Sequence, residues 1–537
     1  MGAPPSTPAP ALAPPATGEF ADAPGLAGSV GLRERSATND ASVIAGAAYI
    51  AQVLNFLAGL VQKGLLGPVG AGFWALMQSF WSLSKIAQLG AFDGTSRQIP
   101  LYRGRKDYAS AAAAADTGFS VSLVAIAALG VCLATFALAF GSGWAPEMRY
   151  GLVLLGVTGP LRLLADVHLV LLHATRRFRP ASTATVLLAV IGLTLQTGFV
   201  ALFGFYGMFM GAVAGSLAAL ALYARLGLST PSRPAFTWRF DWPRLRELIA
   251  YGFPFMVFGQ IWLLFMVIDN LIIAGFIGVK SLGYYALAVS VTDYVLQLPR
   301  SIGQALFPRM AERYGATGEV TAFARYAVDV QRLLAYMIVP LFVAGAFFVV
   351  PVLIRHALPA FAPSVGVVHI MVAGSFAMAL CNLPIKAMLT AGRRQALIVL
   401  VSICLAVNAG ANYLAVAVLD RGIEGAAVAT VFSYFVVFIV TSGYALNMMI
   451  GRRATVRHIA VLLVVAGYVA GALWAIEGLV GSGAGPLVSD ALVAGAKLAL
   501  FVVVLTPWLV VAERRVQGLT RMRKLAGTAI GRARRRS

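Results

Sequence analysis

The chain has 537 residues, of which 59% are hydrophobic and only 12% charged, far below the ~25% charged content of an ordinary soluble domain. Such a composition excludes a soluble globular enzyme and indicates an integral membrane protein. The net charge of +21 would suggest a nucleic-acid partner in a soluble chain, but its distribution between apolar runs gives it another meaning and leaves no nucleic acid expected.

Residues 1–40 read as a disordered cytoplasmic tail: the first thirty are rich in Pro and Ala, with neither the basic n-region nor the compact apolar stretch of a signal peptide. Apolar runs then recur to the far end, each near the ~20 residues needed to cross a ~30 Å hydrocarbon core. Six fall near 41–63, 70–92, 113–140, 150–174, 182–203 and 207–227. A cytoplasmic linker, 228–247, separates them from six more near 248–272, 281–299, 331–354, 364–390, 395–418 and 425–450. Two further spans, 458–478 and 489–511, lie within 451–511. Residues 512–537 form a basic tail with Val516, Leu519, Met522 and Leu525 at helical spacing, suited either to anionic headgroups or to plain solvation. Fourteen spans in all are expected.

Within this series one unit is doubled. Gly64-Leu-Leu-Gly67 followed by Gly72-Phe-Trp-Ala-Leu76 and Ser79 recurs 211 residues later as Gly275-Phe-Ile-Gly278, Gly283-Tyr-Tyr-Ala-Leu287 and Ser290. Ala174-Thr-Arg-Arg177 recurs as Ala391-Gly-Arg-Arg394, and Gly204-Phe-Tyr-Gly207 as Gly422-Ile-Glu-Gly425, at offsets of 217 and 218. Matches in one order at one near-constant offset read as the two halves of a transporter, 41–227 and 248–450. The expected fold is therefore an all-α membrane protein of two pseudo-symmetric six-helix lobes with two added C-terminal helices.

Lys and Arg concentrate in the two tails and in every second loop, as in Arg103/Arg105/Lys106, Arg176/Arg177/Arg179, Arg393/Arg394 and Arg452/Arg453/Arg457. The alternate loops hold few: Lys63, Arg149, Lys280, Arg355 and Arg421. By the positive-inside rule both termini are cytoplasmic, which requires an even number of spans.

Several motifs are absent. There is no G-x-x-x-x-G-K-[ST], so the chain does not itself carry a P-loop ATP site, and no H-E-x-x-H or Gly-x-Ser-x-Gly occurs. Cys132, Cys381 and Cys404 all lie mid-span, supporting neither a disulfide framework nor a metal site. Catalysis, a cofactor and a metal are not expected; movement of a substrate is.

Ionisable side chains inside spans are costly and usually face a wet cavity or a partner. Arg162 stands at the centre of the fourth span, one turn before Asp166, with His168 and His173 beyond. It either faces a cavity or forms an i,i+4 ion pair with Asp166. Lys85 lies in the second span and Lys386 in the tenth, where snorkelling to the interface is an equal alternative. Arg162, Lys85 and Lys386 are the candidate substrate-binding groups. Asp166, Asp269 and Asp293 are deep enough to exchange an ion as a cavity alternates between faces, although Asp293 suits a helix cap equally well. Asp329 and Arg332, near the cytoplasmic boundary, suggest no role. A cation-bearing lumen suits a substrate with phosphate and hydroxyl groups, since an unpaired diphosphate costs tens of kcal/mol to bury and Arg binds phosphate in a planar fork. Pro160, Pro254, Pro340 and Pro384 interrupt helix hydrogen bonding and offer places to bend.

The phrases Ile249-Ala-Tyr-Gly-Phe-Pro254, Ile268-Asp-Asn-Leu-Ile-Ile-Ala-Gly275, Gly278 to Ala288, and Leu298-Pro-Arg-Ser-Ile-Gly-Gln-Ala-Leu-Phe-Pro-Arg309 resemble one family. It is the polysaccharide-exporter branch (Wzx-type O-antigen and exopolysaccharide flippases) of the multidrug/oligosaccharidyl-lipid/polysaccharide, or MOP, exporter superfamily. Leu66-Gly-Pro-Val-Gly-Ala-Gly-Phe-Trp-Ala-Leu76 is similar to the start of the same family's second helix. The resemblance runs from about 41 to 450. It implies MATE-like lobes around a V-shaped cavity, alternating access, no enzyme activity, and flipping of undecaprenyl-diphosphate-linked oligosaccharide to the periplasmic leaflet of the bacterial inner membrane. Implied partners are the lipid-linked oligosaccharide, membrane lipids, and the polysaccharide polymerase and export machinery. The two extra spans resemble fourteen-helix lipid II flippases, so a lipid II flippase or a MATE-type small-molecule antiporter remains the alternative; an antiporter for cationic drugs predicts an acid-dominated cavity, against Arg162 and Lys85.

Overall fold

The computed structural model describes residues 26–174, 178–225, 236–317, 319, 321, 324–481, 483 and 485–516, and no β-strand occurs among them. The first half contains α1 (Leu26–Ser84), α2 (Ala91–Gly104), α3 (Tyr108–Phe140), α4 (Pro146–Ala174), α5 (Phe178–Ile191), α6 (Thr197–Phe203) and α7 (Phe205–Arg225). The second contains α8 (Trp242–Phe276), α9 (Val279–Thr317), α10 (Ala324–Leu333), α11 (Val339–Ala357), α12 (Ser364–Leu380), α13 (Asn382–Thr390), α14 (Arg394–Tyr413) and α15 (Gly422–Ile450). Helices α16 (Arg452–Val480) and α17 (Leu487–Val516) follow.

Among the described residues, twelve helices are long and apolar enough to cross a membrane, against fourteen expected. The difference has two sources. The first two expected spans run together in Gly46–Gln88, whose 43 residues would reach roughly 65 Å, about twice a bilayer core. Gly67 breaks that run at φ 64°, ψ 179°, directly before Pro68. The expected span 281–299 lies in α9, which carries Lys280, Asp293 and Arg300 and is not one of the twelve. Helix α1 begins at Leu26, inside the stretch expected to be a tail; residues 1–25 and 517–537 lie outside the described residues.

The doubled phrase is doubled in space. Gly67 and Gly278, 211 apart, both have positive φ, 64° and 116°, where a side chain would be strained. Five residues on, Gly72 meets the start of α9, and a Cβ there would stand 1.9 Å from the Val279 carbonyl oxygen. Its counterpart Gly283 meets α1, and a Cβ there would stand 1.8 Å from the Pro68 oxygen. Adding 211 to Pro68 and Gly72 yields Val279 and Gly283, so these two backbone contacts are images of each other about a local two-fold axis. The repeated serines behave alike: Ser79 accepts from Asn270 Nδ2 and Ser290 from Lys63 Nζ, each at 3.1 Å across the lobe boundary. This two-lobed, all-α arrangement matches the expected fold class.

Other contacts seat the remaining helices. Glycines 130 and 156 bring α3 and α4 into backbone contact, each Cβ position within 2.6 Å of the other's carbonyl oxygen. The described end of the linker lies along α3, where Asp116 accepts from Thr237 N at 2.6 Å and Ser120 from Arg239 N at 3.3 Å. Helices α16 and α17 dock on α11: Trp474 packs on Phe347, and Asp490 bonds Arg355 (2.8 Å) and His356 (2.9 Å). Lys497, buried at 5% exposure, pairs with Glu477 at 2.8 Å, which compensates the cost of burying its charge.

Candidate functional site

Arg162 emerges from α4 one turn after Gly159, and the missing side chain of Gly159 is what admits Trp81: a Cβ there would come within 2.9 Å of the indole. The guanidinium stands over that indole, 5.3 Å from the ring centroid. No ion pair joins it to Asp166 among the described residues. Its side chain is exposed and lines a small cavity with Trp74, Gln78, Thr158 and Phe209, between the second half of α1, α4 and α7. Of the two sequence alternatives, no direct salt bridge is formed, although the Arg162 and Asp166 charges still act on each other along the helix.

Lys85 opens a short 3-10 segment, Lys85–Gln88, that turns through left-handed Leu89 and Gly90 into α2. It is exposed, and its charge acts on both Asp166 and Asp93. Burial pushes the Asp93 carboxyl above its ordinary range, opposed by Arg97 and Lys85. A pairing that sequence reasoning missed lies beside it. Arg97, from α2, covers the Phe255 ring at 4.0 Å, and Arg394, from the second lobe, covers the same ring at 5.0 Å. Both arginines are exposed. The two lobes thus present two guanidinium groups on one aromatic side chain near the end of α8 expected to be cytoplasmic. Only their residue types on the basic loops hinted at it.

The second-lobe candidates separate. Asp269 is 3% exposed and accepts from Tyr285 Oη, from Thr430 Oγ1 (3.3 Å) and from Asn270 N (3.1 Å). The chain of polar groups continues through Asn412 and Asn408 to the Phe265 carbonyl. Asp293 is exposed on α9 and pairs with Arg300 at 3.0 Å, away from any helix end. Lys386 is half-buried in α13. The structure therefore brings Arg162, Lys85 and Asp166 together in the first lobe and leaves Asp269, Asp293 and Lys386 in distinct surroundings. Lys63, which sequence reasoning placed in an outer loop, instead lies in α1 on Ser290.

Residues 105–359 match the family described as "Polysaccharide biosynthesis protein". The architecture is similar to a multidrug resistance MATE family transporter of the MOP superfamily in its inward-facing conformation (TM-score 0.61, 17% identity, 77% of this chain and 95% of that one). It is also similar to the lipid II flippase MurJ in its inward closed conformation (TM-score 0.62, 14% identity, 87% of this chain and 99% of that one). By its fold the chain is similar to transporters and flippases of the MOP superfamily. Among curated proteins, the probable multidrug resistance protein NorM of Brucella suis biovar 1 (strain 1330) is 27% identical over 150 residues, 26% of this chain and 32% of that protein. The chain thus matches about a third of the length of that relative. The resemblance read from the phrases around Gly252, Gly275 and Pro299 is borne out by the family match over residues 105–359 and by the likeness in fold to MOP-superfamily proteins, and twelve described helices are long and apolar enough to cross a membrane.

Proposed function

We propose that the protein flips an undecaprenyl-diphosphate-linked oligosaccharide from the cytoplasmic to the outer leaflet of a bacterial inner membrane, for polysaccharide biosynthesis, with both termini cytoplasmic. The observation that supports this reading is Arg162: a mid-span guanidinium over the Trp81 ring, with no direct salt bridge to Asp166, exposed and lining a cavity of about 20 Å³ in the first lobe. Bare transfer of a diphosphate through hydrocarbon is prohibitive, and such a group offsets the cost while water fills the cleft. The Arg97 and Arg394 pair on Phe255 suits first contact with the diphosphate on the cytoplasmic side. An apolar cavity of about 430 Å³ between α1, α9 and α11, lined by Tyr49, Val53, Phe56 and Phe342, suits the polyprenyl chain. The lobes rock about the Gly72–Val279 and Pro68–Gly283 contacts, and the carboxylates Asp166, Asp269 and Asp293 are the candidates for coupling that motion to an ion. No covalent chemistry on the substrate is involved.

A lipid II substrate is the second reading, favoured by likeness to MurJ over 87% of the chain, against 77% for the MATE transporter. A cationic-drug antiporter fits poorly with Arg162 and Lys85 in the first lobe. Purified protein in vesicles carrying fluorescent lipid-linked oligosaccharide, lipid II or a cationic dye separates the three. Oligosaccharide movement with no dye movement is expected; dye transport alone rejects the proposal, and movement of lipid II alone reassigns the glycan.

A further inference from the structure

A basic cavity lies away from the lobe boundary. Where α10 meets the start of α16, a pocket of about 400 Å³ is lined by Arg332, Arg453, Arg457, His458, Tyr336 and Val461. Arg453 and Arg457 are four residues apart on α16 and so share one face, while Arg332 reaches in from α10. Asp329, 3.7 Å from Arg332, is the one carboxylate paired with any of the three among the described residues. Three guanidinium charges against one carboxylate leave a net charge of +2 in a confined space. The floor is built, not improvised. His458 is 4% exposed and is held at 3.0 Å by Gln331 Oε1 through Nε2, and Gln331 Nε2 donates to the Leu380 carbonyl at 3.1 Å. Tyr336 is wedged against Trp508 of α17.

We infer that this pocket binds a phosphate-bearing anion at the cytoplasmic leaflet and that the anion fastens α16 to the second lobe. Three planar forks converging on one volume match the several oxygens of a phosphate better than any single carboxylate. Mutual repulsion of the arginines loosens α16 when the pocket is empty and is relieved when it is filled. Two sources supply this chemistry: an anionic glycerophospholipid headgroup or a free phosphate ion. The lipid source has a path for its acyl chains, because Val456 and Val464, eight residues apart on α16, are exposed beside the arginines at 61% and 62%.

The test uses the full chain purified in a neutral detergent, with unfolding temperature read against added ligand. Short-chain phosphatidylglycerol is expected to raise Tm by several degrees, while short-chain phosphatidylcholine does not. The R453A/R457A variant, altered at two exposed positions, removes that repulsion, so its ligand-free Tm is at or above that of the wild type while it binds the anionic lipid at least tenfold more weakly. The R453K/R457K variant recovers part of the affinity, because charge survives but the fork does not. Equal protection by millimolar inorganic phosphate sustains the site and assigns it to a free anion; protection by phosphatidylglycerol alone assigns it to the membrane. Absence of protection by either anion, or protection undiminished in R453A/R457A, overturns the inference.

Discussion

Arg162 lies over the indole of Trp81 at 5.3 Å and has no salt bridge to Asp166, four residues away on its own helix. A local ion pair would have neutralised the charge where it stands. The indole instead attracts the guanidinium through its ring face and takes up none of its N–H hydrogen bonds by an acceptor atom. Arg162→Ala is expected to cut flipping in vesicles by roughly ten- to a hundredfold, the equivalent of one charge-assisted contact of ~1.5–3 kcal/mol, with insertion and Tm retained. Arg162→Lys restores part of it. Normal flipping by Arg162→Ala would remove the anion-handling role.

The reciprocal contacts of Gly72 and Gly283 predict a conformational effect. A methyl group at either position meets a backbone oxygen that no rotamer change can move. Gly72→Ala and Gly283→Ala are each expected to destabilise the joined ends of α1 and α9 by ~1–3 kcal/mol. Cysteine reporters near Pro68 then become more reactive towards a membrane-impermeant thiol reagent, to a similar extent in both variants. An effect from one glycine and none from the other would contradict their symmetric roles.

Asp269 offers a test of coupling against structure. Its carboxylate receives the hydroxyls of Tyr285 and Thr430 inside the second lobe, so Asp269→Ala strands two buried donors and costs ~1–3 kcal/mol. Asp269→Asn keeps an acceptor for Tyr285 and should stay folded, but it has no exchangeable charge. If Asp269 couples flipping to protons, an imposed gradient accelerates the wild type and leaves Asp269→Asn unaffected. Gradient-independent transport by the wild type rules out proton coupling.

Charge alternation between spans predicts the topology. Single cysteines at positions 104, 234 and 315 should be labelled only from the cytoplasmic side, and those at 143 and 483 only from outside. A reversed position would mean that the number of crossings upstream of it differs by an odd number from the one expected.

At the opening of α3, the Ser110 hydroxyl and then the Ser110 N–H, whose N lies 3.0 Å from Asp107 Oδ1, hold the Asp107 carboxyl below the usual range. A lowered folded pKa means that the cap's contribution is present above the unfolded pKa and is lost as pH falls through the folded value. Amide exchange over residues 108–111 should therefore quicken on acidification, and less so in Asp107→Asn, whose side chain caps without titrating.

By itself the sequence determined the membrane class, the doubling and the lobe order, because each depends on properties that survive without knowing any contact. Span length follows from bilayer thickness, and the repeat at 211 residues follows from shared turn glycines such as Gly67 and Gly278. It also marked Arg162 and Asp269 as costly. What those charges do was decided only by tertiary structure. Trp74 and Tyr285 occupy matching places in the repeat, yet Trp74 lines the cavity of Arg162 while Tyr285 donates to Asp269. That difference depends on what α4 and α15 bring alongside, and neither helix is near the repeat phrase in the chain. The joint hold of Arg97 and Arg394 on Phe255, and the clustering of Arg332 with Arg453 and Arg457, were hidden for the same reason. Each unites helices far apart in sequence, where no periodicity or spacing connects them and only packing sets the distance.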